Sequence, residues 1–529
     1  MPSTLLTPRP RTGLRTSATL FVIALLAVAA RLPFLLRADR FFNSDEAVEG
    51  LMARHVLLGE HPLFLWGQRY KGVPEIYLSA AAFRVASPTV VTLKAVTLAC
   101  FVVFLCLNFS LLERVFSRRI AWIATAFLIV GPPSLVMWTL SASAEIVMTL
   151  IAGTVLLIAI EKWKTASKNV TSTSPGLLIA AIAVGFGLWV QQYILYYIAS
   201  LVVTAAIVTP DWRDAVGEMI RTRMPPWLRA ALAALVAIAA VYVILGLIAW
   251  FTSGIDIRVA GVRITATHPQ KMWWIAGALV ASIALLSAAA VWRTQLIVPG
   301  LAFLAGYLPA IVGRIGNTGY GAPIARFDFN AMRTAFPDIT GVMLPMLLGW
   351  RDPDAGPTVS PALGLIVLAI VVMSYWRAWH ERLVPFFHVF PLVAIVMFFV
   401  SGSYIDPQTY RYLMPIYAAL PVVYAIGVDG VWRASRVAGS VLLSIALLIF
   451  AFQQVDWYVR LTPDRTSRRA IACLDAANVR IARADYWHSY TLTFLTRERI
   501  IVSPTDVVRY PPYEMLTSGS PTLDHIGCR

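Results

Sequence analysis

Apolar runs of roughly 18 or more residues recur along this chain from Ser17 to Val455, and no other feature of the sequence constrains its fold as strongly. In hydrocarbon a backbone N–H or C=O finds no water, so a spanning segment must close its hydrogen bonds within itself. Only 14% of the 529 residues are charged, too few to coat a soluble body of that size. The chain therefore reads as an all-α polytopic membrane protein. About 13 spans are expected, near 17–37, 88–112, 119–138, 144–161, 175–191, 193–209, 229–251, 272–291, 295–313, 360–378, 384–401, 412–430 and 436–455. The first run is too long for a signal peptide, and Arg31-Leu32-Pro33-Phe34 offers no small-residue cleavage site, so it is expected to stay as an anchor.

A formal net charge of +16 suggests a nucleic-acid partner, but none is expected, because the cations are scattered over short loops instead of forming one patch. Arg9, Arg11 and Arg15, then Arg118 and Arg119, Arg377, and Arg433 fall on one side if a helix break is placed at 191–193. By the positive-inside rule that side is cytoplasmic, which puts the last segment in the periplasm or its equivalent. A bacterial inner membrane is the expected location.

Three segments beyond the spans are too long for turns: 38–87, 314–359 and 456–529. The first opens on Asn43-Ser44-Asp45-Glu46 and carries His55, His61, Arg69, Lys71 and Glu75. Within it, 45–58 has apolar residues at helical spacing, with Asp45 and Glu46 in the first turn where the helix dipole favours carboxylates. This helix is too short to span, and so is expected to lie in the interface, followed by a second short helix near 74–86. The segment 314–359, with Arg326, Asp328, Arg333 and Asp338, is expected to cover the site as a mobile lid. Beyond Val455 the long apolar runs stop. A helix near 464–477 and a strand at 499–502 suggest a small α/β domain over 456–529. Cys473 and Cys528 both fall there and are expected to pair in an oxidising compartment.

One span, an outer loop opening with Asp-Glu, many further spans and a terminal outer domain resemble the GT-C glycosyltransferases, in particular the protein O-mannosyltransferase and aminoarabinose transferase group. SDEAVEGLMARHVLLGEHPLFLWGQRYKGVPEIYL at 44–78 is similar to that group's first loop. GLWVQQYILYY at 187–197, TYRYLMPIYAALP at 409–421 and ADYWHSYTLTFLTRERIIVSP at 484–504 resemble stretches of related bacterial enzymes. The resemblance implies an inverting transfer of a sugar from a polyprenyl-phosphate donor to a glycan, lipid or protein acceptor. It places Asp45 on the catalytic base, with Glu46 positioning it or binding the acceptor. Lys71 matches a lysine near the lipid phosphate, Arg69 is its neighbour, and Arg411 either joins them or snorkels to the interface. Glu145 either orients the acceptor or is a structural acid. Glu75, Gln191, Gln192 and Tyr412 are candidates for substrate contact, with helix packing as the alternative for the glutamines. No cofactor is expected. A divalent metal is conceivable by analogy with oligosaccharyltransferases, whose additional acidic motifs are not evident here. The rival class is a transporter or flippase of a lipid-linked or anionic solute, which would share the fold and the basic cavity.

Overall fold

In a computed structural model the described residues are 13–143, 145–166, 174–208, 218, 226–251, 255–259, 262–266, 269–315, 329–353, 361–381, 385–401 and 407–528. Among them, six helices are long and apolar enough to cross a membrane, or seven if the bent pair around 408–434 is one span. The apolar helices Pro175–Val190, Ile194–Val208 and Phe386–Phe399 are shorter. Leu25, Val202, Leu365 and Phe452 are exposed large apolar side chains on helices of this body, as lipid-facing positions should be.

Two helical expectations differ in form. The run expected as one span at 119–138 breaks into Arg118–Ile129 and Pro133–Trp138. Gly131-Pro132-Pro133 is the cause, since neither proline can donate to a continuing helix. The freed carbonyls are claimed by buried Arg31 of the first helix, which donates to Ile129 O and to Leu128 O (3.0 Å). Conversely, the two spans expected at 272–291 and 295–313 are one unbroken helix, Pro269–Arg314, because the lone Arg293 between them supplies no turn residue. The helix does break at Gln191, as the positive-inside pattern required.

The first loop folds into the Ser44–Leu57 helix, a short hairpin of Phe64–Leu65 with Gln68–Gly72, and the Pro74–Val85 helix. Asn43 accepts from the Glu46 N–H (3.2 Å) and so caps the first of these, and Pro74 starts the second at the position where a missing N–H costs nothing. The chain after the last long helix, which continues to Arg460, forms the Arg465–Ala476 helix, strand Ile481–Ala484, the Tyr486–Leu495 helix and strand Ile501–Pro504. The two strands pair in parallel, Ile481 with Ile501 and Ala484 with Pro504. Cys473 is bonded to Cys528.

This C-terminal segment has a small core of its own around Leu474, Leu492 and Val502, but its other face is buried in the first loop. Val48, Leu51, Met52, Trp66 and Phe83 of the loop share one cluster with Tyr486, Tyr490, Phe494 and Tyr513 of the tail. A Cβ on Gly50 would overlap the Phe494 ring, so the Ser44–Leu57 and Tyr486–Leu495 helices touch where only glycine fits.

The expected lid is in part anchored. Arg326 and Asp328 lie outside the described residues. From Ile339 onward the segment is held: Ser134 donates to Met346 O (2.8 Å), Tyr417 donates to Leu347 O (2.5 Å), and buried Asp352 pairs with Arg460.

Candidate active site

A cleft with about 360 Å³ of open space lies where the first loop meets Trp138, Ala142 and Glu145 and the 407–418 turn. Asp45, Glu46, Glu49, Lys71, Trp138, Glu145 and Arg411 line it. The fold thus gathers residues scattered over 366 positions of sequence, from Asp45 to Arg411, into one hollow.

Asp45 stands on the first helical turn beyond Asn43. Its Oδ1 accepts from the Tyr486 hydroxyl (2.5 Å), and its Oδ2 is 3.6 Å from Arg411 Nη1. The side chain remains 31% exposed, so it faces the cleft. Burial alone would push its carboxyl up. Arg411, then Lys71, the Tyr486 hydrogen bond and Arg509 outweigh burial and hold it below the usual aspartate range. Asp45 is therefore ionised at neutral pH.

Glu46 points the other way, into protein. Its Oε2 accepts from Lys94 Nζ (2.5 Å) and from the Ala142 N–H (2.9 Å), and burial pushes its pKa up against that ion pair. Lys94 sits inside a span whose apolar run masks it. The pair ties the first loop to the Val90–Val115 helix, and the Ala142 bond ties it to the turn after Trp138.

Lys71, at the end of the hairpin, donates to Glu145 Oε1 (2.6 Å). Burial would lower the lysine pKa, but Glu145 outweighs it and the ammonium keeps its charge. Glu145 is almost fully buried and begins the Glu145–Ala166 helix. Arg69, two residues earlier on the same strand, is outside the cleft lining among the described residues. Glu75 lies behind the site, buried, accepting from the Thr97 hydroxyl. Burial, with Glu145 and Glu46 adding to it against the Thr97 donation, raises its carboxyl to about 7.

Arg411 rises from a 3-10 turn, Pro407–Ala418, that bends into the next helix by 54°. Its guanidinium lies 5.8 Å from the Trp138 ring and 5.3 Å from that of Tyr412. Tyr412 in turn meets Tyr193 (5.8 Å). Gln191 and Gln192 sit at the helix break beside Tyr193, where Gln191 Oε1 accepts from the Gln192 N–H, and neither lines the cleft. Among the described residues, no three His, Cys, Asp or Glu side chains converge in a metal-binding arrangement.

Sequence reasoning missed four participants. Tyr486 and Arg509 come from the tail; Arg509 Nε lies 3.5 Å from the Tyr486 hydroxyl. Trp138, which donates to the Tyr410 hydroxyl (2.8 Å), and Lys94 were hidden in apolar runs.

The fold is of the GT-C type. ArnT from Cupriavidus metallidurans in the apo state matches with a TM-score of 0.51, over 96% of this chain and 90% of that one, at 11% identity. The Archaeoglobus fulgidus oligosaccharyltransferase in the apo form matches at 0.49, with 15% identity, over 93% of this chain. This chain spans only 64% of that oligosaccharyltransferase's length. The Cupriavidus ArnT bound to undecaprenyl phosphate also scores 0.49, at 11% identity over 97% of this chain and 91% of that one. No family model and no curated protein matches the sequence.

Proposed function

We propose that the protein is an inverting glycosyltransferase that moves a sugar from a polyprenyl-phosphate carrier to a hydroxyl or amine of a glycan, lipid or protein at the outer face of a bacterial inner membrane. In that step Asp45 takes the acceptor's proton as the acceptor atom bonds to the anomeric carbon. The bond from that carbon to the phosphate oxygen breaks, and its electron pair leaves with the polyprenyl phosphate. Inversion by direct displacement needs no covalent enzyme intermediate.

The observation that carries this reading is an ionised Asp45 facing a cleft between Arg411 and Lys71. A phosphate would take hydrogen bonds from Arg411 and from the Lys71 donors that Glu145 leaves over, stabilising charge as it departs. The cleft is not simply basic: Glu49 and Glu145 also line it, and carboxylates suit the hydroxyls of a sugar or acceptor better than they suit a phosphate. Trp138 offers a ring for the apolar face of a sugar. Residues 456–529 would then be the outer domain over this cleft.

The test is to offer the purified protein a panel of polyprenyl-phosphate sugars and measure which is consumed. Asp45→Asn should abolish transfer while donor binding survives. A transporter of lipid-linked solutes would tolerate that change with no consumption of donor in either form, and such a result would overturn the transferase reading.

A further inference from the structure

We propose that Tyr486 of the C-terminal segment is a positioning residue for Asp45, so that the site is complete only when that segment is docked on the first loop. If Asp45 is the base, as proposed above, one of its oxygens must be free and aimed at the acceptor. A carboxylate on a helix turn has a broad, two-fold terminal torsion and does not hold such an aim by itself. The Tyr486 hydroxyl supplies the restraint: it donates to Oδ1 at 2.5 Å, leaving Oδ2 on the Arg411 side of the cleft.

The phenol is itself held. Its side chain is buried, its ring meets Tyr490 (5.7 Å), and the Arg509 guanidinium lies 5.3 Å from the ring centre. The Tyr486–Leu495 helix is registered against the Ser44–Leu57 helix at both sides of this bond. Ser44 Oγ donates to Trp487 O (2.9 Å) and accepts from the Thr491 N–H (3.3 Å). One turn or more along, Phe494 fills the space above Gly50. A shift of one helix along the other would break the Tyr486–Asp45 contact. Tyr486 does not line the cleft among the described residues, so it acts through Asp45 and not on substrate.

The groups that face Asp45 are Arg411 from the 407–418 turn, Lys71 from the hairpin, Arg509 and Tyr486 from the tail, and Glu46 on its own helix. Every one of them but Tyr486 survives in Tyr486→Phe, which also keeps the ring. The donated hydrogen bond favours the charged carboxylate, so its loss moves the Asp45 titration upward.

The experiment uses the full-length protein with whichever polyprenyl-phosphate sugar the wild type consumes. Tyr486→Phe should lower kcat about tenfold with the donor KM within about twofold, and move the acid limb of the pH–rate profile up by roughly half to one pH unit. Tyr490→Phe is the comparator: its hydroxyl accepts from the Arg509 and Tyr510 N–H groups and holds the same loop without touching Asp45. It should lower the melting temperature and leave the acid limb in place. A Tyr486→Phe enzyme with the wild-type kcat and acid limb overturns the proposal, as does an acid limb shifted equally in both variants. Asp45→Asn separates the two ideas: retained transfer there removes the base itself, whereas a dead Asp45→Asn beside an unaffected Tyr486→Phe removes only the role of Tyr486.

Discussion

Two buried ionic clusters in this molecule resemble each other in composition and differ in how they are satisfied. At one, Asp429 is 1% exposed and is met by Arg119 (2.5 Å), Arg433 (2.9 Å) and Arg377 (3.4 Å), while Glu381 takes the remaining reach of Arg377 (2.8 Å). At the other, around the cleft, Glu46 Oε1, Glu145 Oε2, Ser143 Oγ and Arg411 Nε are buried without a hydrogen-bond partner among the described residues. A saturated cluster holds helices together. An unsaturated one leaves buried polar atoms around a hollow without partners at a cost in stability, and such orphans are expected where a ligand completes the set.

The largest effect that would sharpen this contrast is on turnover. If Asp45 is the base proposed above, Asp45→Asn should cost at least about 10³-fold in transfer while leaving the melting temperature within a few degrees of wild type, because its loss removes a proton acceptor and not a strut. Asp429→Asn should do the reverse. It should destabilise by about 2 kcal/mol, less than a fully buried pair because Arg119 and Arg433 are about half exposed, with donor turnover per folded molecule unchanged. Thermal melting and single-substrate kinetics on both variants decide it; a swap of the two phenotypes would break the distinction.

A smaller effect concerns the pH dependence of the site end. Glu75 has a folded pKa near 7, above its ordinary 4.5, so the folded state binds the extra proton. Its contribution is complete below about 4.5 and is lost as pH rises through 7. Stability should therefore fall over that window in the wild type and fall less in Glu75→Gln. Parallel stability curves would show that Glu75 is not the group responsible.

The smallest effect is at the seam between loop and tail. His55 lies between Glu60 (2.7 Å) and Glu498 (2.8 Å), with Tyr513 donating to Glu498 (2.6 Å). Burial would lower the imidazole pKa, but the hydrogen bonds to Glu498 and Glu60 outweigh it and raise it above 6.5. Its stabilisation is present below 6.5 and is lost as pH rises through the raised value. Protease cutting between the tail and the loop should increase over that range, and His55→Gln should flatten the response.

How much of this was legible in sequence depends on distance along the chain. Asp45 can be found because its signals are local: the end of a span, a carboxylate pair, and a helix that starts at once. Lys71 is reachable because it lies in the same 38–87 segment as Asp45, within the stretch that resembles the family's first loop. Glu46 carries the same signals as Asp45, yet its side chain turns to Lys94, and one residue of helical rotation is enough to separate the two roles. Tyr486 was beyond reach, since no periodicity links residues 441 positions apart. The split of 119–138 is marked by Gly131-Pro132-Pro133, which sits inside an apolar run whose hydropathy alone shows one continuous span. Arg119, Arg377 and Arg433 obey a topological rule in the sequence, and nothing in their spacing shows that they converge on one aspartate.

The cluster shared by Leu51, Met52, Trp66 and Phe83 with Tyr490 and Phe494 also carries a timetable. Translation at about 5–20 residues per second separates Asp45 from Tyr486 by roughly 20 to 90 seconds. Throughout that interval the first loop has its apolar face made and its cover unmade. The bilayer surface is the nearest shelter for such a face. A chain cut short before Tyr486 would already hold Asp45, Lys71 and Arg411, and would still lack the Tyr486 contact proposed to fix the aim of Asp45. Unfinished copies are thus expected to work more slowly than finished ones, and the arrival of the C-terminal segment decides when the molecule reaches its full rate.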